Sequence, residues 1–256
     1  QTPVVARVVG GSRSVAVNAA IKLDASASTG PSAATLSFAW SCATASGGAC
    51  ADQNNGSNPL QLSAVATQTL AMRALAPGNS YLFTVTVSAG ASNFATAQET
   101  ITVQFGTAPA VSVAASAVVI NADGLLGLTS TVSPTNGQTI TSLLWTEMSG
   151  QLDLTNAKLN PAGASAANLG LNAARLLAFT PGAQYTFRLT ATGSDGAGYS
   201  QVVVRVNLPP SSGSFTATPS SGTALSTTFT MVAGSWVDPD GTNQALQYQV
   251  VQLISG

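Results

Sequence analysis

The sequence contains no histidine. That removes the commonest general base, the side chain whose ordinary pKa lies nearest neutrality. Charge is almost missing as well. Acidic and basic residues make up 7% of 256 positions, with a net charge of −1. Without a basic patch, nothing attracts nucleic acid or an anionic membrane surface, so neither partner is expected. No apolar run reaches the roughly 18 residues of a bilayer-spanning helix, and no membrane span is expected in this segment. The chain starts at Gln1 without a basic-then-apolar leader, which reads as a removed signal or a fragment. Aromatics are only 6%. Hydrophobic residues nevertheless make up 45%, and Ala, Ser, Thr and Gly fill positions where Lys and Glu usually sit. Solubility must then come from hydroxyls, from attached sugars, or from burial in a larger assembly.

There are two cysteines, Cys42 and Cys50. A disulfide between them closes a ring of about nine residues, worth roughly 2.5 kcal/mol on the loop-entropy model. The alternative is two unpaired buried thiols. A zinc site is poorer, because two thiolates without histidine do not complete the metal's coordination. A disulfide implies an oxidising compartment. Asn55-Gly56-Ser57 is a glycosylation acceptor triplet a few residues on.

The most informative stretch is written twice. Pro77-Gly78-Asn79-Ser80-Tyr81-Leu82-Phe83-Thr84-Val85 returns as Pro181-Gly182-Ala183-Gln184-Tyr185-Thr186-Phe187-Arg188-Leu189. Each copy is a turn, two aromatics at strand spacing, then an alternating strand. Trp40 and Trp145 repeat at nearly the same interval. Strand-period residues fill the spaces between: Val4 to Val9, Val15 and Val17, Ile21 and Leu23, then Leu36, Phe38 and Trp40 on one buried face. Cys42 shares that parity. Val111, Val113, Val202, Val204 and Val206 serve the second copy. Pro161 to Phe179 is rich in Ala and Leu and allows a helix. The corresponding Pro59 to Leu75 carries Val65, Thr67 and Thr69, so short strands are expected in both, Leu176 and Leu177 included.

About seven short strands per hundred residues, a central Trp and a Tyr just past a corner describe an Ig-like β-sandwich. Pro fixes φ and Gly tolerates positive φ in the turn before each Tyr. The corner places the ring in the core and bonds the hydroxyl to nearby backbone. The expected fold is therefore all-β, with tandem Ig-like (PKD/fibronectin III-like) sandwiches: one over 1–106, a second over 107–208, and a third, incomplete unit over 209–256. Phe83, Phe187, Trp40 and Trp145 are expected in the cores. In the third unit Phe215, Ala217 and Pro219 read as an edge strand, Leu225 to Val232 as a Thr-rich strand, and Leu246, Tyr248, Val250 and Gln252 as another.

These residues resemble a known family. Leu23-Asp24-Ala25-Ser26-Ala27-Ser28 followed by Leu36-Ser37-Phe38-Ala39-Trp40-Ser41-Cys42 is similar to the PKD-like modules of the receptor-for-egg-jelly (REJ) region. Ser214-Phe215-Thr216-Ala217-Thr218-Pro219, then Trp236-Val237-Asp238-Pro239-Asp240-Gly241 and Leu246 with Tyr248, resembles the REJ signature more sharply. The acidic-Gly turn of PKD domains is absent after Trp40 and Trp145, which favours the REJ array over isolated PKD repeats. The resemblance implies a large extracellular or cell-surface protein of the polycystin and egg-jelly-receptor kind, often on cilia or flagella. It implies no enzyme activity.

Other chemistry has thin support. Glu147 and Asp153 are the candidate carboxylate pair for glycoside hydrolysis, with nothing to fix their geometry. Asp238 and Asp240 are weak calcium candidates, and an Asx-type turn ending in Gly241 is the preferred reading. Arg188 and Arg205 are expected outward. Tyr199 and Phe94 are the candidate exposed aromatics for a sugar platform. No cofactor is expected. The function that follows is a non-enzymatic structural and interaction array of a cell-surface or flagellar glycoprotein. Its partners would be neighbouring modules, other extracellular glycoproteins or a polycystin-type membrane complex. The alternatives are a carbohydrate- or protein-binding adhesin, and accessory domains of a secreted hydrolase.

Overall fold

The computed structural model describes residues 2–32, 34–135, 137–172, 179–223, 225–240 and 246. The first strands are β1 (Arg13–Ala16), β2 (Ile21–Asp24), β3 (Ser37–Thr44), β4 (Ala51–Asp52), β5 (Asn58–Pro59), β6 (Thr67–Leu70), β7 (Ser80–Ser88) and β8 (Phe94–Gln104). There follow β9 (Ala110–Ala115), β10 (Val119–Ile120), β11 (Leu125–Ser133), β12 (Ile140–Glu147), β13 (Leu169–Asn172), β14 (Gln184–Gly193) and β15 (Gly196–Val206). The last two are β16 (Ser214–Thr218) and β17 (Thr230–Gly234). The chain is an all-β protein of Ig-like sandwiches.

In the first sandwich, β2 and β6 pair and face the sheet of β3, β7, β8 and β1. The alternation in β7 is the cause. Tyr81, Phe83, Val85 and Val87 are buried, while the residues between them reach the outer surface to some degree. Ile21, Leu23, Leu70, Leu75, Ile101 and Val103 close over Tyr81 and Phe83. Each such side chain gains about 1.5–3 kcal/mol from leaving water. In the second sandwich, β13, β11 and β9 face β12, β14 and β15, with β10 added to β15. Val111, Leu126, Leu128, Leu169 and Leu171 meet Trp145, Tyr185, Phe187, Leu189, Val204 and Val206 in one core. Phe179 sits edge-on to Tyr185 at 5.2 Å between ring centroids.

The two sandwiches share a sheet. Its order is β12-β14-β15-β1-β8-β7-β3. Strand β1 runs parallel to β8, from Arg13 opposite Ile101 to Ala16 opposite Gln104. On its other edge Arg13 stands opposite Ser200 of β15.

Several sequence expectations change. Val4 to Val9 is an extended arm rather than a strand, held by Val5 on Thr29 and by the Val9 N–H on the Asp24 carbonyl. Gly10 and Gly11, both at positive φ, turn it away before a ladder can form. Phe38 and Trp40 are only half-buried, whereas Trp145, on the strand at the other end of the shared sheet, is enclosed in a core against which Ala164 and Ala166 pack. The expected strand from Leu225 to Val232 starts only at Thr230. The Thr223 N–H is bound by the Thr227 hydroxyl at 2.8 Å, so a local turn takes the backbone bonds that a ladder would use. Between Pro161 and Phe179 the strand reading holds at β13. Leu176, Leu177, Gly241, Tyr248, Val250 and Gln252 lie outside the described residues. In the third unit, β16 and β17 pair antiparallel, from Ser214 opposite Gly234 to Thr218 opposite Thr230.

Candidate functional site

The repeated aromatic frame has a defined geometry in both copies. The Tyr81 hydroxyl donates to the Ala76 carbonyl at 3.1 Å, and the Tyr185 hydroxyl accepts from the Thr180 N–H at 2.9 Å. Both rings are buried, and each bond reaches five residues back along the chain. The tryptophans are matched as well. Trp40 Nε1 donates to the Val65 carbonyl at 2.9 Å, and Trp145 Nε1 to the Ala166 carbonyl at 3.0 Å. Trp145 is enclosed. Trp40 lies between two apolar clusters of the first sandwich, with one side toward the edge. Phe83 and Phe187 are fully buried. These residues build the modules.

Cys42 and Cys50 form a disulfide with Cα atoms 5.6 Å apart. It ties the end of β3 to the start of β4. Asn55 is exposed in a short 3₁₀ turn that the Asp52 carboxylate caps by accepting from the Asn54 N–H at 2.9 Å.

The carboxylates serve turns. Glu147 accepts from the Ser149 N–H at 2.9 Å, from the Ser149 hydroxyl and from the Gln151 N–H at 3.0 Å. Asp153 accepts from the Thr155 hydroxyl and N–H, which hold its carboxyl below the usual range. Each of the two is committed to its own loop rather than to a shared substrate position. Asp238 accepts from the Asp240 N–H at 3.0 Å, and the Asp240 carboxylate accepts from the Leu208 N–H at 2.5 Å. Among the described residues no cluster of three or more His, Cys, Asp or Glu side chains forms.

The most elaborated polar region is the junction between sandwiches. The Gln201 N–H donates to the Ser12 carbonyl at 2.7 Å, and the Ser200 hydroxyl donates to the Gly10 carbonyl at 2.9 Å. The Tyr199 N–H donates to the Ser14 hydroxyl at 2.7 Å. Ser14 and Ser200 are both buried. Backbones approach so closely that only glycine fits at two points. A Cβ on Gly11 would lie 2.1 Å from the Gln201 carbonyl oxygen, and one on Gly198 would lie 2.0 Å from that of Pro109. The connecting segment is strapped down too. Thr135 donates to the Ala108 carbonyl at 3.1 Å, Thr107 donates to the Asp195 carboxylate at 3.2 Å, and the Gln138 amide donates to the Thr107 carbonyl. Two clefts of about 350 and 490 Å³ flank the arm and β1, each lined from both sandwiches.

Tyr199 belongs to this junction and is not a free aromatic platform. Its hydroxyl shares a hydrogen bond with Thr102 at 2.9 Å, and the Arg188 guanidinium stacks over its ring at 4.5 Å. With the Gln201 amide oxygen turned toward it, Arg188 also donates there at 3.0 and 2.8 Å. Arg188 therefore points away from the core, as expected, but is engaged by its neighbours. Arg205 is exposed. Phe94 is exposed at 61%, on the same outward row of β8 as Thr102.

Charge is concentrated at β1. Arg13 Nη1 donates to Glu99 Oε2 and to the Gly11 carbonyl at 2.9 Å, while Nη2 donates to the Lys22 carbonyl. The Glu99 side chain is wholly enclosed, and its Oε1 has no hydrogen-bond partner. Burial pushes the Glu99 carboxyl up to about 7 against the pull of Arg13, and the negative field of Asp24 adds to the push. Asp24 goes the other way. Burial raises it, but hydrogen bonds from Lys22, Ser26 and Thr67 outweigh that and hold it well below the carboxylate range. Sequence reasoning missed Arg13 and Glu99 altogether. They are far apart in the chain, and neither sits in a motif. The one local signal was Gly10-Gly11, which marks the close approach.

Paired sheets over aliphatic cores, a tyrosine at each corner and a strapped junction define a tandem Ig-like β-sandwich protein. More particularly, the chain belongs to the REJ domain family, whose REJ domain matches residues 1–255. No curated protein matches it. Among solved structures it is similar to the N-terminal Ig1-2 module of the Drosophila receptor protein tyrosine phosphatase DLAR, at 14% identity over 80% of this chain and 100% of that one, with TM-score 0.30. It is also similar to titin domains I67-I69, at 12% identity over 92% and 77% with TM-score 0.28. The insect immune protein hemolin matches at 12% identity over 81% and 48%, with TM-score 0.28.

Proposed function

We propose that the chain is a non-enzymatic extracellular interaction array whose first two sandwiches, 1–106 and 107–208, act as one stiff spacer, with the unit from 209 onward continuing the array. The observation that carries this reading is the shared sheet. Strand β1 is laddered to β8 on one edge and meets β15 on the other, and glycines let the backbones close up at the junction. Independent modules on a flexible linker have no such contacts. The disulfide favours an oxidising compartment. The exposed Asn55 triplet fits a glycan. Family membership favours a cell-surface protein, with cilium or flagellum as a setting and other extracellular glycoproteins or a polycystin-type membrane complex as partners. Among the described residues, no helix is long and apolar enough to cross a membrane.

The test is surface biotinylation of intact cells, followed by thiol alkylation and mass spectrometry of the native chain. The expected result is labelled protein with Cys42 and Cys50 joined and glycan on Asn55. An unlabelled chain with both thiols alkylated overturns the reading.

A further inference from the structure

The shared sheet has a slot one strand wide. β8 bonds toward β1 through its even-numbered residues: the Gln104 carbonyl accepts from the Val17 N–H at 2.9 Å, and the Thr100 N–H donates to the Ser12 hydroxyl at 2.9 Å. Its odd-numbered residues bond toward β7, as the Val103 N–H does to the Asn79 carbonyl. Gln98 continues the even row past the end of β1. The β1 ladder starts at Arg13 opposite Ile101, and the chain before it turns off at Gly10 and Gly11. On the facing strand β15, the Gln201 N–H donates to the Ser12 carbonyl and the Arg205 N–H to the Val118 carbonyl at 2.9 Å. Val203 lies between them on the same row, after β1 has ended and before β10 begins. Among the described residues, the main-chain N–H and C=O of Gln98 and Val203 have no partner on this side.

The ladder sets the dimensions. β1 holds β8 and β15 two strand spacings apart, about 9.5 Å. Ser12 and Val118 close the two ends, where they are bound by Gln201 and Arg205. Four steps along β15 make that length about 13 Å, roughly four extended residues. The cleft of about 490 Å³ coincides with this slot, since Ser12, Gln98, Val118 and Val203 all line it. Its inner wall is aliphatic, with Ala97, Val113 and Val202. Val118 and Val203 add an exposed apolar rim. Among the described residues, Arg7 is the one charged side chain of the lining, and it forms no ion pair.

We propose that this slot is a docking site for the C-terminal segment of a protein partner, which enters as an extended strand between β8 and β15. The proposal goes beyond the spacer reading and rests on its shared sheet. Open ladder groups on both walls are matched by a peptide backbone, whereas an acyl chain offers them neither donor nor acceptor. Alternate side chains of the incoming strand face Ala97, Val113 and Val202, so small aliphatic residues fit there. The residues between point outward beside Gln98 and Val203. Because both ends are closed, a chain end fits better than the middle of a chain, which must rise out of the sheet twice. The positive charge of Arg7 favours the carboxylate end over the ammonium end.

The probe is an acetylated pentapeptide alternating valine and serine, with a free carboxyl end. Amide hydrogen exchange of the whole chain is followed by NMR, residue by residue. At saturating peptide, the Gln98 and Val203 amides are expected to slow by at least about tenfold, as a well-formed hydrogen bond produces. The same peptide N-methylated at alternate nitrogens, or amidated at its end, is expected to bind at least about tenfold more weakly. Val118→Trp fills the rim at an exposed position and is expected to abolish binding. Arg7→Gln is expected to erase the difference between acid and amide. The Tyr199 and Gln201 amides, bonded to Ser14 and Ser12, report the shared sheet in the same spectra. No binding while these two stay slow overturns the docking site and leaves the stiff spacer standing. Fast exchange at both overturns the spacer itself. Equal binding of the N-methylated peptide shows that only apolar surface is recognised and overturns the strand. Equal binding of acid and amide overturns the choice of a chain end. Should Val118→Trp fail to fold, the N-methylated peptide still decides.

Discussion

Replacing Gly11 by alanine tests the junction most directly. Gly11 has φ +57°, and its Cβ would lie 2.1 Å from the Gln201 carbonyl oxygen, where ordinary contact begins at 3.4 Å. The left-handed backbone costs alanine about 1–2 kcal/mol. The clash also forces β15 away from the Gly10–Arg13 segment. That breaks the 2.7 Å bond from Gln201 to Ser12 and the 2.9 Å bond from Ser200 to Gly10, each worth about 1 kcal/mol net. The expected loss is about 3–4 kcal/mol. Gly47→Ala is the control. Gly47 has φ +83° with nothing within 4 Å of its Cβ, so only the backbone cost of about 1–2 kcal/mol applies. Guanidinium unfolding followed by tryptophan fluorescence reads both sandwiches, since Trp40 sits in the first and Trp145 in the second. Equal losses for the two variants would refute the claim that backbone contact at Gly11 couples the sandwiches.

Tyr185→Phe keeps the ring packing but strips the Thr180 N–H of its acceptor, so chemical denaturation should show a loss of about 1 kcal/mol. A change below a few tenths would mean that the hydroxyl bond does not hold the corner. The double variant Cys42→Ser/Cys50→Ser should lose about 2.5 kcal/mol from the first sandwich. Amide exchange in β14 and β15 should rise much less than in β3 and β7, and an equal rise would contradict a disulfide confined to one module. Stability against pH has two arms. Glu99 holds a proton when folded that it releases at its ordinary 4.5 when unfolded, so stability falls as pH rises from there through about 7, by up to about 3 kcal/mol. Asp24 is depressed, so its contribution is present above the ordinary carboxylate range and is lost as pH falls through and below it. A Tm that climbs from pH 5 to pH 8, or a Glu99→Gln variant with an unchanged profile over that range, would contradict these assignments.

Much of the fold was legible because its signals are local. Period-two alternation at Tyr81, Phe83 and Val85 needs only neighbouring residues to show which side faces the core. The Pro-Gly turn before it fixes where the strand starts, and the second copy at Tyr185 marks the module frame. Cys42 shares the parity of Trp40 within one strand, so its direction was readable as well. Errors arose wherever a partner outside the segment decides. Trp40 has the pattern of a core residue but is only half-buried, while Trp145 on the opposite terminal strand is closed in by the distant segment at Ala164 and Ala166. Leu225 to Phe229 has strand composition, yet Thr227 diverts its backbone bonding to Thr223. Tyr199 alternates like a surface residue, but the second sandwich meets the first at that place.

The module itself is written locally in the chain. Short alternating strands, paired aromatics and turn residues act over a few positions, and their repetition shows that the unit occurs twice. The lack of histidine and the scarcity of charge also narrow the chemistry through composition alone. How the modules are joined is settled only once both have folded. Arg13 and Glu99, Ser14 and Tyr199, and Gly11 and Gln201 meet only because two sheets converge on β1. No local propensity encodes that convergence. It depends on how two folded surfaces fit, and on which strand edge is left open when each core has closed.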